Sequence, residues 1–170
     1  MTFGQQVLAT LIGTVGGFIL SIALFYIKEC RVSKKNEKFI IDSARAEIDL
    51  GISILKRIKE NISKAREKIE KNDINAYASI DYSGIARSFL TQLYISGLMN
   101  KKLKTDGTDK LNKIYISFSQ GSSTYIQNAL TKYRQNSISQ REALVAVNYE
   151  LGLIESSIKD LNNIKSKINL

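Results

Sequence analysis

Few side chains in this sequence are spaced for chemistry. Asp106 and Asp109 come nearest to a carboxylate pair, one helical turn apart, and the Thr and Gly beside Asp106 mark a helix start rather than an acid/base site. Ser83-Gly84 lacks the G-x-S-x-G frame and the flanking strand of a nucleophile elbow. No Gly-rich phosphate loop of the G-x-x-x-x-G-K-[ST] or G-x-G-x-x-G kind occurs, and no D-x-D-x-D-G calcium loop. The 170 residues include no His and one Cys, which excludes Ser-His-Asp and Cys-His triads, His-ligated zinc and an intramolecular disulfide. Lys, Tyr and carboxylates remain as general acids or bases, but no pattern groups them. The expectation is a non-enzymatic protein with no catalytic, cofactor-binding or metal site and no small-molecule substrate.

The residue types point instead to a bilayer. Val7–Ile27 reads VLATLIGTVGGFILSIALFYI, without a charged side chain. A helix over 7–27 is about 31 Å long, close to one hydrocarbon core. A cleaved signal peptide would carry a basic leader and an A-x-A site; residues 1–6 hold no basic side chain and no such site follows. The segment is read as an uncleaved transmembrane anchor. Lys28, Arg31, Lys34, Lys35 and Lys38 follow it, against Glu29 and Glu37. This basic flank places the N-terminus outside the cell membrane and the rest of the chain in the cytoplasm, with the five cations near lipid headgroups. Cys30, among them, is read as a free cytosolic thiol, with acylation left open.

The anchor is two-faced. At 100° per residue, Gln6, Thr10, Thr14, Gly17, Ser21 and Lys28 fall within about 80°, with Gly13 at the edge of that sector and bulky Leu8, Ile12, Val15, Ile19 and Ile22 opposite. Small residues let helix backbones approach, and hydroxyls bond across helices. The Gln6, Thr10, Gly13, Thr14, Gly17, Ser21 face is therefore the expected helix contact, with copies of the chain or with another membrane subunit. In a ring of copies it would line a pore.

After residue 38 the hydrophobic period is helical. Two long heptad-patterned segments stand out. One runs from Phe39 to Lys71 with Ile41, Ile48, Leu55, Ile62 and Ile69 at one seam position and Ala44, Gly51, Ile58 and Ala65 at the other. Asn72-Asp73 ends it. The second begins at the capping box Ser139-Gln140-Arg141-Glu142 and carries Leu144, Val147, Leu151, Ile154, Ile158, Leu161 and Ile168, with Lys165 breaking the seam. Pairing the two buries both seams. Between them one helix is expected over about 84–99 and another from an N-cap near Thr105-Asp106, kinked or split at Gly121-Ser122-Ser123. The architecture is all-α: residues 1–6 outside, a transmembrane helix over 7–27, a basic juxtamembrane segment over 28–38, and a cytoplasmic four- to five-helix bundle over 39–170. The net charge of +9 is concentrated in 28–71 and 101–134. Without an aromatic platform or Arg-rich groove, that charge points to anionic lipid rather than nucleic acid.

The stretches AYASIDYSGIARSFLTQLYISGLMNKKL (Ala76–Leu103) and DKLNKIYISFSQ (Asp109–Gln120), together with this layout, resemble small single-span prokaryotic membrane proteins of phage defence. The layout is most similar to the membrane accessory of type VI-B CRISPR systems, with its degenerate HEPN-like bundle. The resemblance implies oligomerisation in the membrane and a pore that depolarises an infected cell. HEPN ribonucleases use an Arg followed by a His; here Arg141 is followed by Asn148 and there is no His, so RNA cleavage does not carry over. The same layout also occurs in accessory or scaffold subunits of larger membrane complexes, which is the alternative reading.

Overall fold

A computed structural model describes the backbone of residues 3–85, 88–118 and 123–168, and the side chains of 17–85, 90–99, 101, 103, 107–118 and 125–168. Five helices follow in order: α1 (Phe3–Glu70), α2 (Ser88–Ile95), α3 (Leu98–Ser117), α4 (Ser123–Arg134) and α5 (Gln140–Ile168), with no strand among the described residues. The chain divides into two units, one ending at Ile40 and the other beginning at Ile41. With no Pro in the sequence, nothing removes a ladder hydrogen bond from α1, and residues 28–38 are helical along with their neighbours.

In the second unit, the α1 seam is buried as its period requires. Ile48, Leu55, Ile62, Ile69, Ala44, Gly51, Ile58 and Ala65 are buried, and Ile41 is half-buried at the unit's edge. Asn72 then takes a left-handed φ of 58°. Its amide reaches Ile69 O and the Asp73 amide reaches Lys68 O, a Schellman motif that satisfies the last carbonyls. Asn136, with φ 54°, ends α4 in the same way through Tyr133 O and Lys132 O. The capping box forms: Glu142 accepts from the Ser139 amide at 2.8 Å, and Ser139 Oγ accepts from the Glu142 amide at 3.3 Å. The Ser139 amide, and then the Ser139 hydroxyl, donate to the Glu142 carboxyl and hold it below its ordinary range.

α5 lies antiparallel to α1. Lys165 Nζ meets Asp49 at 2.6 Å, Lys59 Nζ meets Glu155 at 2.8 Å, and Gln140 Nε2 donates to Ile69 O at 2.8 Å. The two ion pairs are partly exposed, so they fix register more than they stabilise. Five of the expected α5 seam residues, Val147, Leu151, Ile154, Leu161 and Ile168, are buried, while Leu144 and Ile158 are only half-buried. Ala143, Ala146, Glu150, Ser157 and Ile164 are buried as well, and with them the steps 143, 147, 150, 154, 157, 161, 164 and 168 form a strict heptad. Lys165 therefore does not break the seam; it stands beside it and pairs with Asp49. α3 and α4 pack on α5, and α2 packs on α3.

α3 also starts earlier than expected. Gly97, at φ 72°, is its N-cap, and Thr105-Asp106 lies inside the helix. Only Gly adopts that left-handed turn at no steric cost, so Gly97 ends α2 and opens α3 at once. The segment expected to be kinked or split falls into two helices, α3 and α4; residues 119–122 lie outside those described.

The least expected element is an extended strap between α1 and α2. Its side chains alternate: Ala76, Ala78, Ile80 and Tyr82 are buried, while Tyr77, Ser79, Asp81 and Ser83 are exposed. It runs back along α1, with Asn61 Nδ2 donating to Ser79 O at 3.2 Å and a Cβ on Gly84 lying 3.1 Å from Ile54 Cδ1. An extended chain among helices has no strand ladder for its carbonyls. Asn61 and Gln127 supply side-chain amides instead, Gln127 Nε2 reaching Ile80 O at 3.1 Å.

Candidate functional site

Two features stand apart from ordinary bundle packing. One is the apolar, then basic, stretch of α1 before the bundle. The other is a buried acidic contact inside it.

In the first unit, residues 17–27 are helical and exposed, including Phe18, Ile19, Leu20, Ile22, Leu24, Phe25, Tyr26 and Ile27. At 100° per residue these eight side chains surround the helix. Of the expected helix-contact residues, Gly17 and Ser21 are described. Ser21 Oγ donates to Gly17 O at 2.8 Å, which satisfies the hydroxyl within its own helix. A Cβ on Gly17 would meet nothing within 4 Å, so the chain's own packing does not demand glycine there. The side chains of Gln6, Thr10, Gly13 and Thr14 lie outside the described residues. Lys28, Arg31, Lys34, Lys35 and Lys38 are all exposed, as is Cys30. Among the described residues, no helix is long and apolar enough to cross a membrane. The first ten residues of the expected span, 7–16, contribute no described side chains.

Inside the bundle, Tyr82 on the strap donates to Glu150 Oε1 on α5. Both are buried, at 7% and 3% exposure, and the Tyr82 ring packs on Phe118 with centroids 4.7 Å apart. Burial pushes the Glu150 carboxyl up, against the pull of the Tyr82 hydrogen bond. Burial first, then Glu150 itself, push the Tyr82 phenol up as well. The pair fastens the strap to α5. Glu47 serves α2 similarly, its carboxylate accepting from the Leu90 amide near the start of that helix at 3.0 Å.

Among the described residues, those weighed for chemistry are not brought together. Asp109 is exposed on α3, and the Asp106 side chain lies outside the described residues. Ser83 closes a small turn in which its amide meets Asp81 Oδ1 at 2.9 Å; the Ser83 side chain first, and then this amide, hold the Asp81 carboxyl below its usual range. Arg141 borders an open groove of about 490 Å³ with Tyr125, Lys132 and Val145, whereas Asn148 is exposed and does not line it. No group of three acidic, Cys or His side chains suited to a metal occurs among the described residues. The Tyr82–Glu150 contact escaped sequence reading because its members are 68 positions apart; the one available signal was that Glu150 keeps the heptad step between Val147 and Ile154. No family model, curated protein or solved structure matches the chain.

Proposed function

We propose that this is a non-enzymatic, membrane-anchored helical protein whose span, residues 7–27, packs on another membrane helix through the face that includes Gly17 and Ser21. The observation that carries this reading is the ring of eight large apolar side chains between Phe18 and Ile27, each about half to two-thirds exposed. Fully removing such a side chain from water is worth about 1.5–3 kcal/mol, and a bilayer removes all eight. The basic run from Lys28 to Lys38 then orients the span with the N-terminus outside and the bundle in the cytoplasm. Two forms of the reading differ in partner: self-association into a pore of the phage-defence kind, or service as an accessory subunit of a larger membrane complex. The placement of the cations favours the second.

Alkaline carbonate extraction of cells expressing the full chain tests the anchor. The protein is expected in the membrane pellet, with the bundle digested only when protease reaches the cytoplasmic face. Paired Phe18→Arg and Leu20→Arg substitutions are expected to move it to the supernatant, because each cation near mid-bilayer costs about 2.5–3.5 kcal/mol on insertion. Release of the unaltered chain by carbonate would overturn the reading.

A further inference from the structure

The cations beyond the span stand on one side of their helix. α1 is unbroken from Phe3 to Glu70, so Lys28, Arg31, Lys34, Lys35 and Lys38 keep helical register. At 100° per residue they fall within a sector of about 120°. Glu29 and Glu37 lie outside it. All five cations are exposed, and among the described residues none forms an ion pair. Gly17 and Ser21 project to the same side, each about 20° from Lys28.

Two occupants fit this stripe badly. Lipid headgroups surround an emerging helix on every side, so contact with them does not select one sector. The stripe also extends about 15 Å along the axis, beyond the Debye length of about 8 Å at physiological salt. No helix break between Ile27 and Lys28 lets it fold onto the bilayer. A second copy packed in parallel on the same face would set like charges against one another along the whole stripe, which is destabilising.

We propose that the Lys28–Lys38 side of α1 is a docking face for an acidic helix of a different membrane protein, with carboxylates at i, i+3, i+7 and i+10 just beyond the bilayer. Charge complementarity at helix-pairing spacing selects such a partner, and close approach at Gly17 lets the two spans run together. The inference rests on the membrane-anchor reading above.

The test uses the full chain, labelled with a donor dye at Cys30, which is exposed and lies off the stripe. It is reconstituted in phosphatidylcholine vesicles with acceptor-labelled synthetic single-span peptides. One peptide carries Glu at i, i+3, i+7 and i+10 beyond its span, a second carries the same Glu content spread around the helix, and a third carries Lys in the stripe. Energy transfer is expected with the Glu-stripe peptide. Association is expected to be about tenfold weaker with the spread-Glu peptide, or after Lys28→Glu, Arg31→Glu, Lys35→Glu and Lys38→Glu together. That reversed variant is expected to recover transfer with the Lys-stripe peptide. Equal transfer to striped and spread peptides overturns the proposal. So does transfer that appears only once phosphatidylglycerol is added, which assigns the face to lipid. Transfer between two labelled copies as strong as that to the peptide, and indifferent to charge reversal, assigns it to self-association and overturns the proposal as well. Vesicle flotation separates the two levels: a chain that does not float overturns the anchor and the docking face together, while a chain that floats without transfer overturns the docking face alone.

Discussion

Leu55→Ala and Ile164→Ala are each expected to lower the unfolding free energy of the bundle by about 2–5 kcal/mol. Both side chains are fully buried, at 0% and 2% exposure, on the facing seams of α1 and α5. Truncation removes the transfer free energy of the lost methyl and methylene groups and leaves a cavity that two long helices, tied by Lys165–Asp49 and Lys59–Glu155, cannot easily close. Ile158→Ala is expected to cost less than half as much, because Ile158 stands beside the seam and is only half-buried. Urea midpoints at constant slope, measured on the detergent-solubilised chain, give the comparison. Equal losses at Ile158 and Ile164 would show that Ile158 belongs to the α5 seam as fully as Ile164 does.

That contrast locates what the sequence made legible. Local signals held wherever one residue type does one physical job. Asn72 ends α1 because Asn tolerates the left-handed turn, and Ser139 with Glu142 opens α5 because each satisfies the other's amide. The α1 seam was readable because its buried positions are nearly all aliphatic or small. The α5 seam was readable at Val147, Leu151, Ile154, Leu161 and Ile168 but not at Glu150 and Ser157, which a hydrophobic pattern skips and which are buried too. Thr105-Asp106 looks like a cap in isolation, but the helix was already running from Gly97. The strap was hidden for a related reason. Its alternation over Ala76–Tyr82 is carried partly by Ala and Ser, which bury too little area to announce a period, and its carbonyls are satisfied by Asn61 and Gln127 from distant helices.

Of the candidate site, Gly17, Ser21 and the five cations could be named from spacing and charge. The one-sidedness of the cations could not, because it requires residues 28–38 to continue the helix of residues 17–27 rather than form a linker. Ser21 shows the limit of an inventory of polar groups. Its hydroxyl reads as a donor available across helices, yet its proton is directed to Gly17 O on the same helix. In the docking proposed above, the pair then offers a partner closeness more than a hydrogen bond, and the weight of recognition falls on the five cations.

Those charges are solvated; Glu150 is buried, and it gives the bundle a pH dependence of definite sign. Burial raises the pKa of Glu150, so the folded chain holds this proton more tightly than the unfolded chain does. The stability it contributes is fully present below the ordinary glutamate value of 4.5 and is lost as pH rises through the raised value. Tyr82 stays protonated across that window because its own pKa is also pushed up, so the phenol remains the donor. Glu150→Gln keeps an acceptor for that phenol and cannot ionise. The variant is therefore expected to be at least as stable as the parent at neutral pH, with the difference shrinking as pH falls below the glutamate range. Tyr82→Phe removes the donor and leaves the carboxylate buried without it. It is expected to cost about 1–3 kcal/mol at neutral pH and less in acid, where the protonated carboxyl is the form that burial favours. Urea titrations of the three chains from about pH 4 to about pH 8 measure both effects, since carboxylates common to all three cancel in the differences. A parent-to-Glu150→Gln difference that stays constant across that range would mean that Glu150 keeps one charge state throughout, and that Tyr82 holds the strap without its help.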